Sequence, residues 1–148
     1  MSHKNTLMKL EAAVHPYKLA LNRAHGEYTL KLRNGNTNAA TLSYFLDEND
    51  GELLLSEGRT HADYQKRGLG TKLRALVILA AYLGGFKKAV QTSTNLNKMT
   101  PGNRPISAKI MNKLGFKVNK IHNNKSENRS LNLNNTSMNK IRSILNSA

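Results

Sequence analysis

The sequence predicts an α/β (α+β) fold in which a mixed, largely antiparallel central sheet is flanked by helices. Three observations predict it. Runs of strand type occupy residues 28–59, separated by short polar turns. At Leu69 the apolar period switches to helical spacing. Beyond Gly84-Gly85, short strand-like and helix-like runs alternate to the end of the chain. No internal repeat and no strong boundary divides the 148 residues, so one domain over 1–148 is expected, long enough to bury a single core without staples.

Taken in order, residues 1–26 carry the weakest pattern. Thr6 to Val14 fits either a strand or a short helix, and His15-Pro16 ends it. Tyr17 to Ala24 holds helix-forming residues with an imperfect apolar stripe at Leu19, Ala20 and Leu21. Tyr28 to Leu32 alternates with period two and stops at the turn signal Asn34-Gly35. Ala40 to Leu46 is a second strand, closed by Asp47 to Gly51. Glu52 to Arg59 is a third, its Leu53-Leu54-Leu55 reading as buried on both faces. Leu69, Leu73, Leu76, Val77, Ala80 and Leu83 then form a helical face that Gly84-Gly85 terminates. Lys88 to Thr92 reads as a short strand and the polar stretch Ser93 to Arg104 as a loop. Pro105 suits a first helical turn, with Ile106, Ile110, Met111 and Leu114 as the apolar face before Gly115. Strands are expected around Phe116–Val118 and Leu131–Leu133. A C-terminal helix capped by Thr136 or Ser137 carries Met138, Ile141 and Leu145.

Composition excludes several classes. With no cysteine, neither a disulfide framework nor a thiolate metal site is possible. His3, His15, His25 and His122 stand at no metal-ligand spacing and read as surface residues, so no metal is expected. There is no signal-peptide pattern, and the apolar run Ala75–Leu83 is far too short to cross a bilayer, so a soluble cytoplasmic protein is expected. The net charge of +14 is unevenly placed. Residues 1–58 carry six Lys or Arg against seven Asp or Glu, whereas residues 59–148 carry seventeen against two. Such asymmetry gives a positive face for a polyanion, although drift toward lysine and asparagine produces the same count.

The residues that carry chemistry are Gln65-Lys66-Arg67-Gly68-Leu69-Gly70-Thr71, between a buried strand and an amphipathic helix. The first-turn N–H groups of a helix lack intrahelical partners and bear about half a positive charge. Gly68 and Gly70 let backbone approach a ligand closely, while Lys66, Arg67 and Lys72 add formal charge. This is an anion site, with phosphate the natural ligand; a turn used only for packing is the alternative. The spacing is not that of a nucleoside-triphosphate loop. Leu73 stands where a dinucleotide-binding loop requires glycine.

The loop resembles the pyrophosphate-binding motif [QR]-x-x-G-x-[GA] of the GNAT superfamily of N-acetyltransferases, here Gln65-x-x-Gly68-x-Gly70. Ser107 to Phe116 resembles the family's late helix with its Leu-Gly-Phe ending, and the two segments stand in the family's order. The resemblance covers roughly residues 40–118 and implies acetyl-CoA as donor. Amides from Gln65 to Thr71 would hold its pyrophosphate, and Arg59-Thr60-His61 would run beside the pantetheine arm. The thioester would lie where that strand and Lys88–Thr92 splay apart, with an amide near Thr60 polarising the acetyl carbonyl.

The chain departs from the family where many members carry a tyrosine that protonates the leaving thiolate: that position is Met111. The family's earlier asparagine corresponds to Arg104, beside Asn103. Tyr64 is the alternative acid, and Glu57 and His61 are the candidate bases. Two bland readings stand beside these: Glu57 as an outward strand residue paired with a lysine, and His61 as a turn residue. The function implied is acetyl transfer to a primary amine. Alternatives are an acceptor bound to nucleic acid, such as charged tRNA, contacted through residues 59–148, and a CoA-binding module without turnover. Partners are therefore acetyl-CoA, an amine and a polyanion, with homodimerisation left open.

Overall fold

The structure, a computed structural model, describes residues 2–95, 103–122 and 126–147, and their side chains outside 92–108 and 119–128. Its helices are α1 (His3–Lys9), α2 (Leu69–Leu83), α3 (Asn103–Leu114) and α4 (Asn135–Asn146). Its strands are β1 (Lys18–Ala24), β2 (Glu27–Asn34), β3 (Thr37–Asp47), β4 (Glu52–Thr60), β5 (Lys88–Asn95), β6 (Lys117–His122) and β7 (Ser126–Asn132). Short 3-10 turns occupy Glu11–Val14 and Ala62–Tyr64.

The strands form one seven-stranded sheet in the order β1-β2-β3-β4-β5-β7-β6. Every neighbouring pair is antiparallel except β4–β5, which is parallel and joined by the α2 crossover. The mixed, largely antiparallel sheet is thus as the sequence predicts. Alternation builds the meander: Leu30 and Leu32 of β2, Ala40, Leu42 and Tyr44 of β3, and Leu53 and Leu55 of β4 are all buried. Leu54 is only half-buried, so β4 hides one face fully rather than two.

Helix α2 lies against β3 and β4 and is covered by α1 and α4. That sandwich explains why nearly all of it is apolar: Ala75 through Ala81 are buried without interruption. Each large side chain such as Leu76 or Ile78 contributes roughly 1.5–3 kcal/mol by burial. Met138, Ile141 and Leu145 form the buried stripe of α4. Its N-cap is Asn134, not Thr136 or Ser137. Asn134 Oδ1 accepts from the Ser137 N–H at 2.9 Å, and Ser137 Oγ accepts from the Asn134 N–H at 3.1 Å.

The N-terminal third differs most from expectation. Residues 18–24 form strand β1 rather than a helix, paired with β2 from Lys18↔Arg33 to Ala24↔Glu27. Thr6 to Val14 resolves into the end of α1 and a 3-10 turn, followed by a cis His15-Pro16 peptide. Strand β5 extends to Asn95 and α3 begins at Asn103, which shortens the expected loop; residues 96–102 lie outside the described residues. His3 is not a free surface residue: its Nε2 lies 2.6 Å from the hydroxyl of fully buried Tyr44.

Candidate anion-binding loop and strand splay

Strands β4 and β5 pair in parallel only from Glu52↔Lys88 to Leu55↔Gln91. Past Leu55, β4 runs on to Thr60 and β5 to Asn95 without pairing to each other, which opens a wedge between them. Gln91 Nε2 donates to the Ser56 carbonyl at 3.3 Å, at the vertex of the wedge. A bulge in β4 accompanies the divergence. Leu42 pairs with Gly58 but Tyr44 with Leu55, so β4 holds one residue more than β3 over that interval. The chain thereby presents an unpaired stretch of β4 edge, residues 56–60, in the interior of the sheet.

The loop after β4 stands at the open end of the wedge. The His61 N–H donates to the Ala39 carbonyl at 2.9 Å, which ties the strand end to β3. The Ala62–Tyr64 turn follows, and Lys66 and Gly68 then take left-handed backbone at φ +65° and +74°. Gly68 is the N-cap of α2, and without a side chain it caps nothing. The first intrahelical bond runs from the Lys72 N–H to the Gly68 carbonyl at 3.0 Å. Among the described residues, nothing accepts from the N–H groups of Gly68, Leu69, Gly70 and Thr71. No acidic residue lies in the first turn to neutralise the helix end.

Around these amides, Gln65, Lys66 and Arg67 are exposed, while Leu69 and Thr71 are buried and anchor the turn. Gln65 Nε2 donates to the Thr60 carbonyl at 3.4 Å, bracing loop against strand. The Arg67 guanidinium lies 4.9 Å from the Tyr64 ring centroid and donates to the Asp63 carbonyl at 3.3 Å. Lys72 Nζ reaches the Ser147 carbonyl at 2.7 Å, so the chain terminus touches the loop. A small pocket of about 150 Å³ adjoins the loop, lined by Val14, His15, Tyr17, Arg67, Leu69 and Lys72. The arrangement is a helix N-terminus whose first amides have no acceptor among the described residues, at the open end of the wedge.

The other predicted site residues stand as follows. Glu57 lies in the bulge at the wedge and is exposed; its Oε1 accepts from Arg59 Nε at 3.0 Å and Nη2 at 2.9 Å. The partner is an arginine, not the lysine of the bland reading, and the pair occupies Arg59, a predicted donor-binding residue. His61 Nδ1 accepts from the Asp63 N–H at 3.2 Å, leaving Nε2 without a described hydrogen bond. The Tyr64 hydroxyl accepts from Asn34 Nδ2 at 2.8 Å. Thr60 is half-buried at the end of β4. Met111 is 1% exposed and belongs to the hydrophobic core. The side chains of Asn103 and Arg104 lie outside the described residues. Among the described residues, no group of three or more His, Asp or Glu could hold a metal ion, and no helix is long and apolar enough to cross a membrane.

Sequence reasoning missed one residue at this site. Arg74 of α2 reaches back one turn, and its Nη1 donates to the Gly70 carbonyl at 3.1 Å. Its guanidinium lies on Gly58 so closely that a Cβ there would stand 2.4 Å from Nη2. Gly58 carried the available signal, because a glycine inside a strand often marks a close approach.

No family model and no curated protein matches the sequence. Solved structures do match its fold. A Bacillus subtilis acetyltransferase in complex with CoA aligns over 80% of this chain and 99% of its own, at 11% identity and TM-score 0.60. A GNAT family acetyltransferase from Elizabethkingia anophelis with acetyl-CoA bound covers the same shares, at 12% identity and TM-score 0.60. The ribosomal-protein-S18-alanine N-acetyltransferase of Escherichia coli aligns over 87% of this chain and 86% of its own, at 14% identity and TM-score 0.59. At such identities the likeness is one of fold.

Proposed function

We propose that this chain, which has the fold of the GNAT acetyltransferases, is an acyltransferase that takes an acetyl group from acetyl-CoA and places it on a primary amine. One observation carries the reading: a helix N-terminus with four amides unpaired among the described residues stands at the wedge between β4 and β5. The amides of Gly68 to Thr71 fit a pyrophosphate, with Lys66 and Arg67 screening its charge. Residues 56–60 offer unpaired strand edge to the amide groups of a pantetheine arm. Bound there, the thioester supplies the acetyl group: a C–N bond to the amine forms as the C–S bond breaks, the amine gives up one proton and the sulfur takes one.

Within this reading the chain's own groups divide the proton work. Glu57, at the wedge, is the base that keeps the amine neutral once Arg59 turns away from it; His61 is the second candidate, through Nδ1 once that nitrogen releases the Asp63 N–H. Met111 cannot protonate the thiolate, so Tyr64 or water does. The excess of positive charge in residues 59–148 favours a polyanionic acceptor or one bound to nucleic acid.

Thiol release from acetyl-CoA, followed across a panel of small amines, amino acids and peptides, tests the proposal. Amine-dependent release that G70V abolishes is the expected result. A second reading, a CoA-binding module without turnover, is favoured by Met111; it predicts CoA binding with no release from any amine.

A further inference from the structure

Arg74 is poorly explained as a structural residue. Its guanidinium has one described hydrogen bond, to the Gly70 carbonyl, and its Nε is buried with no partner among the described residues. None of the described ion pairs involves it. A single bond does not offset removing a guanidinium from water, and an apolar side chain would pack there at lower cost. Burial accordingly lowers its pKa from the usual arginine value.

The surroundings are nevertheless shaped for it. An ideal Cβ at Gly58 would lie 2.4, 2.9 and 3.0 Å from Nη2, Cζ and Nη1, so the guanidinium takes the place of any side chain at that position. Gly58 is three residues past Leu55, the last β4 residue paired with β5, and so stands on the open edge of the wedge. A Cβ at Gly70 would lie 3.3 Å from Arg74 Nη1, 3.7 Å from Thr60 Oγ1 and 4.0 Å from Ile110 Cδ1. The charge therefore sits between the end of β4, the first turn of α2 and α3. These are the elements that line the donor's path if the donor is a CoA thioester.

We propose that Arg74 is a specificity residue that binds a carboxylate at the far end of the donor's acyl chain, so that the site takes a dicarboxylic acyl group alongside acetyl and holds it more tightly. The inference rests on the CoA-thioester reading and leaves the amine chemistry unchanged. A guanidinium accepts a carboxylate through two parallel N–H bonds, and the desolvated site strengthens them. The anion also supplies the charged partner that the buried cation lacks among the described residues.

Calorimetric titration with CoA, acetyl-CoA and succinyl-CoA tests this on the wild type, R74L and R74K. The wild type is expected to bind succinyl-CoA on the order of tenfold more tightly than acetyl-CoA. R74L should bind the two thioesters equally, and R74K should keep part of the preference. Equal affinities in the wild type overturn the inference while CoA binding stands. An equal loss for all three ligands in R74L also overturns it, placing Arg74 on the pyrophosphate instead. If the wild type does not bind CoA at all, the donor reading falls and this inference with it.

Discussion

Replacing Gly58 with alanine probes the most crowded contact at the wedge. The added Cβ would stand 2.4 Å from Nη2, 2.9 Å from Cζ and 3.0 Å from Nη1 of Arg74. Optimal contact needs about 3.5 Å or more, so the guanidinium must retreat by roughly 1 Å. That movement breaks its 3.1 Å bond to the Gly70 carbonyl. A hydrogen bond from a charged donor is worth about 1.5–3 kcal/mol, and alanine in place of glycine in a strand returns about 0.5–1 kcal/mol. G58A should therefore lose about 1–2 kcal/mol. In the R74L background no guanidinium occupies that space, so the same change should be neutral or stabilising by about 0.5 kcal/mol. The coupling between the two positions is then about 1–2.5 kcal/mol. Urea unfolding of the four proteins of the cycle, followed by far-ultraviolet circular dichroism, measures it directly. Additivity within about 0.5 kcal/mol would refute the packing described for Arg74.

Three further predictions concern stability. Burial lowers the His3 pKa to about 4 from 6.5. Its contribution is therefore fully present above pH 6.5 and is lost as pH falls from there through about 4, because the unfolded chain binds the extra proton. After allowance for solvent screening of a half-buried ring, the wild type should lose about 1–2 kcal/mol more than H3Q between about pH 7 and pH 4.5, read from urea midpoints. N134A removes the acceptor of the α4 capping box and should cost about 1 kcal/mol, lowering the melting temperature by about 2–4 °C. Gly68 has φ +74° and open space around it, so G68A should cost about 1–2 kcal/mol from backbone strain alone. Asparagine tolerates that conformation, and G68N should therefore be less destabilised than G68A in thermal melts.

What could be read from sequence follows from how local the determining forces are. Strands β2 and β3 announce themselves because the meander buries one face, which writes a period of two into adjacent residues. The glycine loop and the helix it opens are legible for a related reason: glycines, cations and the start of a helical period are all local. Strand β1 was misread because Leu19-Ala20-Leu21 is a contiguous apolar run and pairing with β2 alone decides its state. The burial of His3 depends on Tyr44, forty-one positions away, and no local pattern carries that. Arg74 has the same character. On its own helix it reads as one more solvated cation, and only the fold brings it onto Gly58. The Glu57–Arg59 pair is itself local: residues two apart on a strand face the same way, and both are exposed on β4.

The cradle at the start of α2 is most directly tested by titrating isotopically labelled protein with CoA while the backbone amide resonances are followed. The amides of Gly68, Leu69, Gly70 and Thr71 should shift most, since the described structure leaves them without acceptors, and residues 56–60 of β4 should shift with them. Saturable shifts confined to those two segments would confirm that the loop and the wedge form one donor site. A titration in which those amides stay still, or in which only scattered surface lysines respond and salt abolishes the response, would contradict it.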